Sequence, residues 1–212
     1  MKKFLLIDDH AIVRSGIKFW LSAEYNPSEI DEAENGKEAT EKINDNDYDL
    51  ILLDIHLPET NSFDLLKYIL ITKPGSKVLI FSMNSENMYA KRFLQAGAVG
   101  FVSKDAPIEE LKKAVELTLN NKKYISDKFI DTILNEKTGE QNINPFLKLS
   151  DREFEITSLL LEGKSVSEIS NLLKIHTSTT GTYKARIFDK LKIENIFQLS
   201  KLATVYDIKK PG

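Results

Sequence analysis

Apolar residues in the first half of the chain come in short unbroken runs. Phe4-Leu5-Leu6-Ile7, Leu50-Ile51-Leu52-Leu53, Val78-Leu79-Ile80-Phe81 and Ala98-Val99-Gly100-Phe101-Val102 do not alternate with polar positions. Short runs of this kind, β-branched, aromatic or apolar throughout, mark strands buried on both faces of a parallel sheet. The pattern predicts strands near 4–7, 29–33, 50–53, 78–81 and 98–102, separated by helices near 11–23, 37–45, 62–72, 86–95 and 107–120. Five βα units with right-handed crossovers define an α/β, doubly wound parallel sheet, and the flavodoxin-like strand order 2-1-3-4-5 suits this size.

The pattern changes after residue 122. Phe129, Ile130, Ile133 and Leu134 recur at helical spacing, and Asn135 to Pro145 is polar, contains Gly139 and has no hydrophobic period. A helical linker over 123–146 is expected. From 147 to 212 the apolar positions return at helical spacing and predict an all-α, four-helix unit. Ser150 with Glu153, and Ser165 with Glu168, are capping boxes, while Gly163 breaks the chain between the first two helices. After the turn Lys174-Ile175-His176, Thr177 or Ser178 is expected to cap a third helix, buried through Thr180, Tyr183, Ile187 and Leu191. A fourth helix lies near 195–207.

A chain of 212 residues, 42% of them hydrophobic, supports two cores. The absence of cysteine excludes disulfides and thiolate metal sites and permits a reducing compartment. Met1-Lys2-Lys3 precedes an apolar run that stops at Asp8-Asp9, too short for a signal peptide or a membrane span. A cytoplasmic protein with no membrane partner is expected. The formal net charge of −3 hides an asymmetry: residues 147–212 carry 11 Lys+Arg and 8 Asp+Glu, the remainder 18 and 24. An acidic first part suits a metal site, and a mildly basic second part is compatible with a polyanion.

The Asp8-Asp9 pair, Asp54, Ser82 and Lys104 each fall at or just past the C-terminal end of a predicted strand. In doubly wound sheets ligands bind there, so three carboxylates, a hydroxyl and an ammonium are expected in one pocket. Clustered carboxylates repel one another, which makes a hard divalent cation, Mg²⁺, the natural occupant. With its charge neutralised, an Asp carboxylate can attack a phosphoryl group in line and become an aspartyl phosphate. Lys104 is expected to pair with Asp54 at rest and with the phosphoryl oxygens afterwards.

The residues Asp8-Asp9-His10, Asp54-Ile55-His56-Leu57-Pro58, Ser82 and Val102-Ser103-Lys104 resemble the receiver domain of a two-component response regulator of the NarL/FixJ group. Offsets of 28 and 50 residues from Asp54 to Ser82 and Lys104 are typical of that group. The resemblance implies that Asp54 is the phosphoacceptor and that Asp8 and Asp9 form the metal cluster with the backbone carbonyl of His56. It implies Ser82 as the switch hydroxyl, Phe101 as a switch aromatic that turns inward on phosphorylation, and Lys104 as the phosphoryl-binding cation. The family keeps a cis bond before a proline near this lysine; here Pro107 lies three residues on, and the isomer is left open.

Opposite the buried stripe of the third C-terminal helix lie Ser178, Gly181, Thr182, Ala185 and Asp189, flanked by Lys184 and Arg186. Small side chains there permit close approach to a major groove, with the flanking cations and the helix N-terminus on phosphates. The pattern Leu149-Ser150, Arg152-Glu153, Gly163, Glu168-Ile169, Ile175, Thr179 and Lys190-Leu191 resembles the LuxR-type helix-turn-helix. Ser178, Thr179, Gly181, Thr182, Lys184, Ala185 and Arg186 are the implied DNA-binding residues, and the fourth helix the implied dimer contact.

Departures from the family's pattern are informative. Gly181 stands where relatives carry a cation and weakens its helix by roughly 1 kcal/mol relative to alanine, which makes ordering of that helix dependent on DNA or dimerisation. Ser62 replaces a common glycine; Met83 replaces a small residue and, with His56 and Asn84, is expected to shield the acyl phosphate from water. His10 reads as a capping or packing residue of the first helix and His176 as a turn residue, neither with a chemical role; Lys190, Lys192, Lys209 and Lys210 read as solvated surface. The residues together predict a phosphorylation-dependent transcription regulator, not an enzyme. The expected partners are a sensor histidine kinase, promoter DNA, a second copy on activation and RNA polymerase. The alternative, an Asp-nucleophile phosphohydrolase of the haloacid-dehalogenase type, needs a carboxylate two residues after Asp54, where this chain has His56.

Overall fold

The computed structural model describes residues 2–27, 29–83, 86–131 and 144–206. They belong to two compact units, Met1–Ile130 and Asp131–Gly212.

The first unit runs β1 (Lys3–Ile7), α1 (Ala11–Tyr25), β2 (Glu29–Ala33), α2 (Gly36–Asp45), β3 (Leu50–Leu53), β4 (His56–Leu57), β5 (Thr60–Asn61), α3 (Ser62–Thr72), β6 (Val78–Ser82), α4 (Glu86–Gln95), β7 (Gly100–Ser103) and α5 (Ile108–Leu119). The main sheet is wholly parallel in the order β2-β1-β3-β6-β7, which is the expected 2-1-3-4-5 arrangement. Because strand side chains alternate between faces, Phe4, Leu6, Leu50, Leu52, Leu79 and Val102 pack with α1 and α5 through Leu21, Leu111, Ala114 and Val115. Leu5, Ile7, Ile51, Leu53 and Ile80 point the other way and are equally buried. Both faces are covered, which is why these strands carry no polar alternation.

The hairpin β4–β5 was not predicted. Its two-residue strands are too short to show a period, and its turn is local: Glu59 adopts φ 52°, and Thr60 Oγ1 donates to the Pro58 carbonyl at 2.8 Å. Ser62 uses its hydroxyl to donate to the Ile55 carbonyl at 2.6 Å and so ties the hairpin down beside Asp54.

Residues 123–130, read from sequence as the start of the linker, bury Tyr124 and Phe129. Tyr124 forms a parallel bridge to Gly100 on the edge strand. A side chain at Gly100 would meet the Tyr124 carbonyl oxygen at 2.9 Å, so close backbone approach requires glycine there. Just beyond, Ser126 Oγ donates to Glu86 Oε2 at 2.6 Å, while Glu86 Oε1 is buried without a hydrogen-bond partner among the described residues. Burial pushes the Glu86 carboxyl above its ordinary value, and the bonds from Ser126 offset this only in part. An acid with a raised folded pKa contributes stability that is present below its unfolded pKa and lost as pH rises through the folded value. Glu86→Gln is therefore expected to raise the melting temperature of this unit by a few degrees at pH 7 and to leave it unchanged at pH 4. Thermal unfolding followed by Trp20 fluorescence measures this unit alone, since the chain has one tryptophan. A rise of equal size at both pH values would rule the account out.

The second unit comprises a 3-10 turn (Pro145–Lys148), α6 (Asp151–Leu161), α7 (Val166–Leu172), α8 (Thr177–Leu191) and α9 (Ile196–Val205). Both predicted capping boxes are formed, Ser150 with Glu153 on α6 and Ser165 with Glu168 on α7. Phe146 of the 3-10 turn is buried and meets the Tyr206 ring edge-on. Ile169, Ile187, Leu191, Leu199 and Ala203 fill the centre. A buried hydroxyl pair, Ser170 Oγ with Thr180 Oγ1 at 2.9 Å, joins α7 to α8. Ile133, Leu134, Lys209 and Lys210 lie outside the described residues.

Candidate functional site

The backbone of the first unit delivers four side chains to one end of the sheet. Asp8 follows β1, Asp54 follows β3, Ser82 ends β6, and Lys104 follows β7. Asp8, Asp54 and Ser82 are buried, and the Lys104 side chain is 5% exposed. Lys104 Nζ lies 2.6 Å from Asp8 Oδ2 and 2.7 Å from Asp54 Oδ2, so one ammonium spans two carboxylates from different strands. The expected resting pair of Lys104 with Asp54 is present. Main-chain bonds fix the frame: Asp54 N–H donates to the Ile7 carbonyl at 2.9 Å and Lys104 N–H to the Ser82 carbonyl at 2.9 Å. Asp54 Oδ1 accepts from the N–H of Ile55 at 2.6 Å.

Asp9 completes the cluster at the surface, and the ligand atoms of Asp8, Asp9, His10 and Asp54 all lie within 4.8 Å of one another. Donors on one small divalent ion, bonded at about 2.0–2.1 Å, sit about 3–4 Å apart, so this donor set is compatible with Mg²⁺. Arg14 was missed from sequence: its guanidinium donates to the Asp8 carbonyl at 2.5 Å and to Glu32 Oε2 at 3.3 Å, holding α1 to the end of β1.

Two expectations need correction, and one open question is answered. His10 occupies the N-cap position of α1 but makes no side-chain cap; its ring Nδ1 instead lies 2.6 Å from Asp9 Oδ1 and 3.2 Å from Asp8 Oδ1. Phe101 is already fully buried, so its ring is inward in this structure, on the sheet face it shares with its neighbour Ile80. All peptide bonds among the described residues are trans, including the one before Pro107. Met83 stands half-exposed directly after Ser82, at the rim of the pocket; Asn84 lies outside the described residues.

The second unit presents α8 as the candidate nucleic-acid interface. Thr180, Ile187 and Leu191 are buried and Tyr183 is half-buried, as the spacing predicts, while Ser178, Thr179, Thr182, Ala185 and Arg186 are exposed. Gly181 is half-buried, and Lys184 lays its ammonium over the Phe188 ring at 5.5 Å from the centroid. The cap differs from expectation. His176, rather than Thr177 or Ser178, occupies the N-cap, and its side chain makes no capping hydrogen bond. The other three α-helices of this unit are capped by Ser150, Ser165 and Asn195. Lys190 is exposed, as expected of a surface residue, and in addition donates to the buried Glu153 carboxylate at 2.6 Å.

The helix continues through Gly181, where an added Cβ would meet nothing within 4 Å. Gly181→Ala is therefore expected to stabilise the second unit by about 1 kcal/mol, read as a higher melting temperature by circular dichroism. If close backbone approach to a polyanion is its purpose, the same variant loses DNA affinity. A variant that gains stability and binds DNA unchanged would show that the glycine serves no contact.

The first unit is a receiver domain and the second a LuxR-type helix-turn-helix. Residues 4–116 match the response regulator receiver domain and residues 147–203 the bacterial regulatory proteins of the luxR family. The chain belongs to the response regulators that join these two domains, phosphorylation-dependent regulators of transcription. It is 31% identical over 204 residues to the response regulator GacA of Pseudomonas syringae pv. syringae, covering 96% of this chain and 95% of that protein. The response regulator UvrY of Escherichia coli is likewise 31% identical, over 96% of this chain and 94% of its own. In fold, it is similar to RcsB of Salmonella enterica serovar Typhimurium, solved on the promoter rprA with the phosphomimetic BeF₃⁻. The TM-score is 0.76 and the identity 23%, over 96% of this chain and 98% of that one. No helix among the described residues is long and apolar enough to cross a membrane.

Proposed function

We propose that Asp54 receives a phosphoryl group from the phosphohistidine of a sensor kinase and that its arrival changes how the 147–212 domain binds promoter DNA. The observation that carries this reading is the single ammonium of Lys104 held between Asp8 and Asp54 in a buried pocket. An Asp54 oxygen attacks phosphorus, the P–N bond opposite it breaks, and the kinase imidazole leaves with its electron pair. Mg²⁺, held by Asp8, Asp9, Asp54 and the His56 carbonyl, would supply charge neutralisation to the entering and leaving groups. Lys104 stays within reach of the new phosphoryl oxygens, and the Ser82 hydroxyl, buried on the adjoining strand, donates to another. Met83 and His56 at the rim slow the approach of water to the acyl phosphate. This chemistry stores a signal and does not turn over a substrate. The protein is not an enzyme, and it works in the cytoplasm with the kinase, DNA and RNA polymerase.

On the second unit, the uncapped N-terminus of α8 leaves its first-turn N–H groups for a DNA phosphate. Ser178, Thr179, Gly181, Thr182 and Ala185 face base edges, with Lys184 and Arg186 on the flanking backbone. Two copies on half-sites about one helical turn apart suit a symmetric dimer. The decisive experiment is the affinity of the whole chain for a promoter fragment with and without a small phosphodonor. Phosphorylation is expected to tighten binding by about tenfold or more. Equal affinity in both states would leave a constitutive DNA binder and sink the regulatory reading.

A further inference from the structure

We propose that the hydrogen bond between Glu86 and Ser126 is a latch that carries the state of the phosphoryl pocket to the segment leading into the second unit. Closed here, it opens when the start of α4 follows Ser82 towards a phosphoryl group on Asp54. The inference rests on the reading of Asp54 as a phosphoacceptor and adds to it the contact that passes the signal on. Ser126 Oγ donates to Glu86 Oε2 at 2.6 Å across 40 residues, and the Ser126 main chain bonds the same carboxylate. One side chain of α4 thus grips the chain as it leaves the receiver sheet.

Ser126 has a second task. Its Oγ and its carbonyl each accept the Phe129 N–H at 3.1 Å, and the carbonyl accepts the Ile130 N–H at 3.0 Å, so it starts the helical turn that follows. A serine hydroxyl donates and accepts at once, and here it donates to Glu86 while capping that turn. Withdrawal of Glu86 releases the serine rotamer, and the cap weakens with it.

Placement makes the contact responsive to the pocket. The Tyr124 N–H donates to the Val99 carbonyl at 2.9 Å and the Tyr124 hydroxyl to Glu110 Oε2 of α5 at 3.2 Å, which fix the start of the segment to the sheet edge and to α5. The Ser126 bond runs instead to α4, whose first residue, Glu86, stands four after the buried Ser82. A displacement at the end of β6 passes along so short a connection.

Energetics favour release on a small push. Glu86 Oε1 is buried with no hydrogen-bond partner among the described residues. Burial, aided by the nearby Glu110 carboxylate, raises the Glu86 pKa against the Ser126 bonds and Lys128. A half-satisfied buried carboxylate carries a cost that an outward move recovers. The latch therefore holds by its Ser126 bonds against a standing penalty.

The test uses the whole chain, with and without a small phosphodonor and Mg²⁺, and reads phosphate incorporation, promoter affinity and hydrogen exchange of the peptide 124–130. Ser126→Asp keeps a capping oxygen but cannot donate to Glu86, Glu86→Ala removes the acceptor, and Ser126→Thr retains the hydroxyl. In the parent, phosphorylation is expected to speed exchange in 124–130 by roughly fivefold or more. Ser126→Asp and Glu86→Ala should each exchange at the fast rate without phosphodonor, bind the promoter as the phosphorylated parent does, and incorporate phosphate normally. Ser126→Thr should behave as the parent, and the Glu86→Ala, Ser126→Asp double variant should exchange no faster than either single one, since both remove one contact.

Slow exchange in both single variants overturns the proposal, as does a parent whose exchange ignores the phosphate it has taken up. Fast exchange in the variants with promoter affinity left at the resting level, where the parent's affinity does respond, would make Ser126 a cap alone and overturns it too. A phosphorylated parent whose exchange quickens while its promoter affinity stays unchanged sinks the regulatory reading and leaves the latch standing. A parent that takes up no phosphate fails the reading of Asp54, and the latch with it.

Discussion

Asn at position 54 is expected to abolish stable phosphorylation, lowering phosphate incorporation from a small phosphodonor by at least about a hundredfold, because an amide oxygen is a poor nucleophile and forms no acyl phosphate. The fold should survive. Breaking a buried ion pair costs about 3–5 kcal/mol when a charge is left alone, but Lys104 keeps Asp8 Oδ2 at 2.6 Å, so the loss should be smaller than that range. Trp20 fluorescence in a thermal scan measures the stability, and a radiolabelled or phosphate-affinity gel measures incorporation. The promoter affinity of Asp54→Asn should match that of the unphosphorylated parent and ignore the phosphodonor. Incorporation at the parent's level in this variant would place the acceptor elsewhere.

Loss of the Glu153 carboxylate should be strongly damaging to the DNA-binding unit. This buried side chain closes the α6 capping box through Ser150 N–H at 2.7 Å and accepts Lys190 Nζ from α8 at 2.6 Å, so it joins the first helix to the reading helix. Burial would raise its pKa, yet the bonds from Lys190 and Ser150 outweigh this and hold it below the ordinary 4.5. Glu153→Ala is expected to cost about 2–3 kcal/mol. A lost cap accounts for about 1 kcal/mol, and the broken pair adds less than its buried limit because Lys190, 40% exposed, regains water. An acid with a depressed folded pKa contributes stability present above its unfolded pKa and lost as pH falls through the folded value. The gap between parent and variant should therefore be full at pH 7 and close as pH falls below 4. Hydrogen exchange over 151–205 reports this unit directly. A gap that persists unchanged in acid would refute the charge-based account.

Sequence periodicity delivered the strands and helices of the first unit to within a few residues, along with the strand order and the capping boxes at Ser150 and Ser165. These features depend on neighbours one to four residues apart, or on whether a whole run is apolar, so they are written locally. The hairpin β4–β5 escaped because two-residue strands carry no period. The uncapped start of α8 escaped because Thr177 and Ser178 are both competent caps and only the backbone of His176 decides among them.

By itself, the amino-acid order determined that Asp8, Asp54, Ser82 and Lys104 end strands of one parallel sheet, and hence that they share a pocket. Tertiary structure alone decided which further atoms meet there: that Lys104, beside its expected partner Asp54, also holds Asp8, that Phe101 lies inward, and that the His10 ring faces two carboxylates instead of capping its helix. It decided also that Lys190, 37 residues from Glu153, is a buried acid's partner as well as a surface charge. The reason is physical. Burial pattern and capping are set by the chain's own period, whereas the choice of partner for a charged group depends on which strands and helices have closed around it.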